Sequence, residues 1–181
     1  MHITLKRVSA RLVEYKKIKE LYNSAFPSDE RAPFMLLMAK AGKENVDFWS
    51  VYADKNWVGF VYVVNDGVLS YVFYLAINAS ERGRGYGSAV LRTLKRLYDG
   101  QKLFLALEQL DESAENYTER LNRRHFYEKN GLLPIDGRIR EGNVYYDIMG
   151  IGGTVTAEDY GHLMESYCGK ILKRLCKIGI V

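Results

Sequence analysis

Two periods of apolar positions alternate along the chain, and the switches between them mark its elements. Residues 3–8 alternate like a short strand, and residues 14–25 place Ile18, Leu21, Tyr22 and Ala25 on one helical face. Phe26-Pro27-Ser28-Asp29 breaks that helix; Pro33 opens a shorter one through Met35, Leu36, Leu37 and Met38, closed by Gly42. Three runs dense in Val, Tyr, Phe and Trp follow at 46–53, 57–64 and 69–77. Asn65-Asp66-Gly67 joins the last two and is a strong hairpin signal, so the three read as an antiparallel meander.

After residue 77 the period changes. Val90, Leu91, Leu94, Leu97 and Tyr98 form one helical face, with Arg92, Lys95 and Arg96 opposite. Gly100 ends this helix, and 102–108 (KLFLALE) reads as a buried strand, so strand, helix and strand make a βαβ crossover with its two strands parallel. Another helix is expected over 112–129 with Gly131 as its left-handed cap, and a last core strand over 143–149. The tail pairs Thr156 with Asp159 as a capping box and continues an apolar face through Leu163, Met164, Tyr167, Ile171, Leu172 and Leu175. That face must bury against the domain or a second subunit.

Length and composition narrow the classes. A chain of 181 residues with 48% hydrophobic and 27% charged residues suits one globular domain with a real core. The 26 basic residues are interleaved with 22 acidic ones, so the net charge of +4 is no nucleic-acid footprint. Cys168 and Cys176 lie eight residues apart on an expected helix, roughly 12 Å by helical rise and beyond disulfide reach. A reduced, cytoplasmic setting follows, with no membrane span and no leader expected at MHITLKRVS. His2, His125 and His162 have no ligand spacing, so no metal is expected.

The chemistry centres on ERGRGYGSAV, residues 81–90. Gly83, Gly85 and Gly87 allow positive φ, which turns successive N–H groups toward an anion. A helix expected from near Ser88 adds its unpaired N–H groups, and Arg82 and Arg84 add charge. A Walker loop needs Lys after its last glycine, where Ser88 stands, and the spacing fails the dinucleotide pattern G-x-G-x-x-G.

Arg82-x-x-Gly85-x-Gly87 resembles the Q/R-x-x-G-x-G/A signature of the GNAT superfamily of acetyl-CoA-dependent N-acetyltransferases, and residues 124–132 (RHFYEKNGL) resemble that family's Y-E-K-x-G-F segment. The resemblance spans roughly residues 3–150 and implies a GNAT domain over 1–152, an α/β (α+β) fold with a mixed central sheet and helices on both faces. A C-terminal helical extension over 153–181 would pack on that domain or at a homodimer interface. It implies acetyl-CoA as cofactor, its pyrophosphate on the N–H groups of Gly83, Arg84, Gly85, Tyr86, Gly87 and Ser88, with Arg82 nearby. Its pantetheine arm would run along Leu75, Ala76 and Ile77, with a backbone N–H near Leu75 stabilising the oxyanion.

The family's general-acid tyrosine falls on Tyr127, and Glu108 at the end of its strand is the candidate base. A base matters because an amine of pKa near 10.4 is free in only about one molecule in 10³ at pH 7. The family's pantetheine asparagine position holds Arg120 here; Asn116 and Asn122 flank it, and Asn122 enters the expected cofactor set. Glu30, Phe34 and Tyr71 are expected to meet the acceptor. The reading is acetyl transfer to a primary amine of a small molecule by direct attack in a ternary complex. A non-catalytic acyl-CoA sensor, or an enzyme acting on protein N-termini or lysines, stands as the alternative.

Overall fold

The computed structural model describes residues 1–28, 31–141, 144–169 and 179–180. It divides into two compact units, Met1–Val64 with Phe73–Leu97, and Asn65–Val72 with Tyr98–Val181.

In the first unit, β1 (Ile3–Arg7), β2 (Val46–Ala53), β3 (Asn56–Asn65) and β4 (Leu69–Ile77) lie side by side in that order. β1 pairs antiparallel with β2, and β2 with β3, with a register shift at Val51/Tyr52. Helices α1 (Tyr15–Ala25) and α2 (Phe34–Lys40) precede β2, and α3 (Tyr86–Leu97) follows β4. The core is aromatic: Tyr22 packs against Phe26, Phe34, Phe60 and Tyr74, and Phe48 against Phe60 and Tyr62. Two tyrosine hydroxyls clasp Ala32, Tyr22 donating to its carbonyl at 2.8 Å and Tyr74 accepting from its N–H at 3.2 Å. Gly59 lies so close to β4 that a Cβ there would stand 2.1 Å from the Ala76 carbonyl oxygen.

In the second unit, the first residues of β4 run parallel to β5 (Lys102–Glu108), with Leu69 opposite Lys102, Ser70 opposite Leu103 and Tyr71 opposite Phe104. β5 pairs antiparallel with β7 (Val144–Ile151), β7 with β6 (Leu133–Glu141), and β6 with the short β8 (Gly179–Ile180). α4 (Tyr117–Lys129) precedes β6 and α5 (Ala157–Cys168) follows β7. α5 sets Tyr160 edge-on to Tyr71 and Phe104, and its Asp159 meets Lys102 at 3.3 Å.

The meander, the crossover and the alternation of elements match the expected GNAT-type fold, and four details differ. β6 was not assigned from the sequence; in it Gly137, at φ 95, sits in a register shift between Ile135 and Arg138. α4 begins at Tyr117 rather than residue 112, since Asp111 accepts from the Ser113 N–H and hydroxyl and consecutive turns use residues 111–117. α3 begins at Tyr86, not Ser88, which moves Gly87 into the helix; only Gly83 (φ 76) and Gly85 (φ 80) take positive φ there. The expected long tail helix ends at Cys168, where Gly169 turns to φ 83. Ile171, Leu172, Leu175 and Cys176 lie outside the described residues. Glu30 also does. Among the described residues no helix is long and apolar enough to cross a membrane.

Candidate functional site

β4 ends at Ile77, and a 3-10 turn over Ala79–Glu81 carries the chain toward α3. Gly83 and Gly85 then invert the backbone twice within three residues. A Cβ at either glycine would meet nothing within 4 Å, so positive φ, not crowding, selects glycine there. α3 makes its first backbone bond from the Ala89 N–H to the Gly85 carbonyl at 3.1 Å. Among the described residues, the N–H groups of 83–88 have no partner within the protein. Six adjacent donors, two residues of positive φ and the positive end of a 12-residue helix make an anion cup.

Its flanking arginines are anchored. Arg82 Nε donates to the Ile77 carbonyl at 3.2 Å, and Arg84 pairs with Glu81 at 3.1 Å. Both side chains remain exposed, so the charge stays at the rim. Along β4, Leu75 and Ile77 are half-buried and Ala76 is buried. β4 continues six residues past Tyr71, to Ile77.

A second group of functional candidates lies on α4 and the strands of its own unit. Glu108, whose side chain is 10% exposed, has both carboxylate oxygens taken: Oε1 by Arg120 at 3.2 Å and by Asn116 Nδ2 at 3.4 Å, Oε2 by Arg123. Arg120 uses all three nitrogens, on Glu108, on the Gln109 carbonyl at 2.8 Å and on Asn116 at 2.7 Å. Glu108 was expected as the base; here its carboxylate is held by two guanidiniums and an amide. Arg120 and Asn116 bond to Glu108 and to each other, while Asn122 is exposed on α4.

Tyr127 lies seven residues after Arg120 on the same helical stripe, half-buried and edge-on to Phe126 at 5.1 Å. Burial pushes its hydroxyl up to about 12, with the Arg123 guanidinium pulling the other way. The hydroxyl has no hydrogen-bond partner among the described residues. It therefore carries its proton at every ordinary pH and is free to donate it in a hydrogen bond.

The acceptor residues fare differently. Phe34 (6% exposed) packs on Tyr15, Tyr22 and Phe48, and Tyr71 (3%) stacks on Phe104 at 4.8 Å. Both, expected to meet the acceptor, are buried among aromatic neighbours. Aromatic side chains in a sheet are needed for packing first, and spacing alone does not separate the two uses.

Missed in the sequence is a second ion-pair knot: Asp147 on β7 accepts from Arg124 and lies 3.7 Å from Arg138, with Gln109 Nε2 at 3.4 Å. A lone aspartate inside the apolar run VYYDIMGI and the Arg123-Arg124 doublet were the available signals. Among the described residues no three His, Cys, Asp or Glu side chains gather to hold a metal.

Comparison with known families settles what carries this geometry. Residues 44–131, just under half the chain, match the model of the acetyltransferase (GNAT) domain. This segment is a GNAT acetyltransferase domain. A GNAT-family protein of Bacteroides thetaiotaomicron shares the fold at a TM-score of 0.73 and 21% identity, covering 93% of this chain and 97% of that one. An aminoglycoside 6'-N-acetyltransferase solved with coenzyme A aligns at TM-score 0.57 and 14% identity, over 83% and 96% of the two chains. A spermidine N-acetyltransferase of Vibrio cholerae aligns at 0.60 and 16% identity, over 82% and 92%. No curated protein matches the chain in sequence. At these identities the likeness is one of fold, and the GNAT assignment rests on the domain match joined to it.

Proposed function

We propose that this chain is a cytoplasmic N-acetyltransferase that passes acetyl from acetyl-CoA to a primary amine of a small molecule, by direct attack in a ternary complex. The carrying observation is the anion cup: N–H groups of 83–88 without a protein partner, at the start of α3 within a GNAT domain. A Cβ built at Gly83 or Gly85 would meet nothing within 4 Å, which supports room for an anion beside this turn. GNAT relatives of the same fold have been solved with coenzyme A.

The cup would hold the diphosphate oxygens, and the end of β4 would orient the amides of the arm, with the Leu75 N–H offered to the carbonyl oxygen. Bound acetyl-CoA supplies the activated acyl group. Tyr127 would offer its retained proton to the departing sulfur. Full transfer from a phenol near 12 to a thiolate of pKa about 8.5 would be uphill by roughly 5 kcal/mol. Tyr127 therefore serves as a hydrogen-bond donor that steadies the thiolate, and solvent supplies the proton in full. With Glu108 engaged, the amine's proton leaves to water.

The engaged Glu108 also favours a second reading, a module that binds acyl-CoA without turnover. The test is coenzyme A release with a panel of amines: turnover with any of them supports the enzyme. Binding of acetyl-CoA with no release across the panel supports the sensor.

A further inference from the structure

The GNAT relatives solved with this fold include enzymes named for polycationic acceptors, an aminoglycoside and spermidine. The charge around Tyr127 has the opposite bias. Four guanidiniums, of Arg120, Arg123, Arg124 and Arg138, share two carboxylates, Glu108 and Asp147. The two knots are chained, because Gln109 donates to Asp147 through its amide while its carbonyl accepts from Arg120.

The arginines are not equivalent. Arg120 is saturated and structural. Arg123 is 47% exposed and engages Glu108 through one nitrogen; Arg138 is 59% exposed and approaches Asp147 through Nε alone. Their other nitrogens have no partner among the described residues. Arg124, 16% exposed and paired with Asp147, leaves its Nε buried without any partner. A buried donor left unmade is costly, and spare guanidinium forks beside it are matched in geometry to carboxylate or phosphate.

Arg120, Arg123, Arg124 and Tyr127 follow i, i+3, i+4, i+7 spacing, so this excess charge lies along the helical stripe of the proposed hydrogen-bond donor.

We propose that the acceptor amine carries an anionic group, a carboxylate or a phosphate, bound by the spare guanidinium donors of Arg123 and Arg138. This rests on the acetyl-transfer reading for the word acceptor. A polyamine would meet uncompensated like charge there, whereas an anionic amine would neutralise it. The same guanidiniums would disfavour the ammonium form of the bound amine and so help it arrive unprotonated, which no carboxylate on this stripe is free to do.

The test uses matched pairs: O-phosphoethanolamine against ethanolamine, and β-alanine against propylamine. Each is titrated onto the full chain by calorimetry and assayed for coenzyme A release with acetyl-CoA. The wild type is expected to favour an anionic member at least tenfold, the phosphate and carboxylate arms deciding which anion. Arg138→Gln and Arg123→Gln should each shrink that preference by about tenfold, while Arg138→Lys restores part of it. Equal binding within both pairs, or preference for the uncharged member, would overturn the proposal. So would variants that weaken coenzyme A binding and leave the preference intact, since the cluster would then read the cofactor. A wild type that binds the anionic members selectively but releases no coenzyme A would refute acetyl transfer and leave the anion site standing.

Discussion

Replacing Gly85 separates the shape of the anion cup from its charge. Gly85 sits at φ 80 with open space where a Cβ would stand, so a side chain there is strained but not crowded. Asn and Asp tolerate this conformation best among L-residues, and either should cost about 1 kcal/mol, or roughly 2–4 °C in melting temperature for a chain this long. The two are nearly isosteric, and only Asp adds a charge. Coenzyme A at a hundred times its dissociation constant should stabilise the wild type by about 2.7 kcal/mol, a rise of roughly 5–11 °C. A carboxylate about 4 Å from a phosphate oxygen opposes binding by around 4 kcal/mol at an effective dielectric of 20, more than that whole gain.

Gly85→Asn should therefore melt a few degrees lower and keep most of the coenzyme A shift, while Gly85→Asp loses it. Differential scanning fluorimetry with and without millimolar coenzyme A reads both. An Asp variant that keeps the wild-type shift would refute the placement of phosphate at this turn.

Four further outcomes follow from the same structure. Tyr127→Phe should lower kcat by roughly 10–100-fold with coenzyme A affinity unchanged, and because burial lifts the hydroxyl to about 12, the wild-type rate should show no alkaline limb from this group below pH 11. Glu108→Gln should destabilise the chain by roughly 1–3 kcal/mol, read by urea unfolding, by freeing Arg120 and Arg123 from their carboxylate, and should leave the acidic limb of kcat/KM in place; loss of that limb would return Glu108 to the role of base. Gly59→Ala should unfold or severely destabilise the protein in thermal melts, since its Cβ would lie 2.1 Å from the Ala76 carbonyl oxygen. Thr156→Ala should cost about 1 kcal/mol through the lost cap on α5. The Thr156 hydroxyl and Lys102 together hold the Asp159 carboxyl below its ordinary value, so the stability it lends is present above pH 4 and fades as pH falls through that lowered value; a melt series from pH 6 to 2 should show the fading weakened in the variant.

Where one period dominates, the sequence is legible. β2, β4 and β5 have the expected bounds because Val, Tyr, Phe and Leu run unbroken between turn residues. The left-handed cap at Gly131 and the Thr156 cap were equally readable, as both depend on neighbours within four residues. β6 was hidden because its Pro134 and Gly137 are turn residues by local rule, and only pairing with β7 keeps them extended. The site divides the same way. The glycine turn is a local device and its residues could be read directly, apart from Gly87. Roles that depend on distant partners were not readable: nothing near Glu108 in sequence announces Arg120 and Arg123, and nothing near Tyr71 announces Phe104 and Tyr160.

A crystal structure of the protein with coenzyme A tests the central claim most directly. The account predicts the diphosphate oxygens at about 3 Å from main-chain nitrogens of residues 83–88, with the arm extended along β4 beyond Tyr71. Coenzyme A bound elsewhere, with those nitrogens facing only solvent, would contradict it.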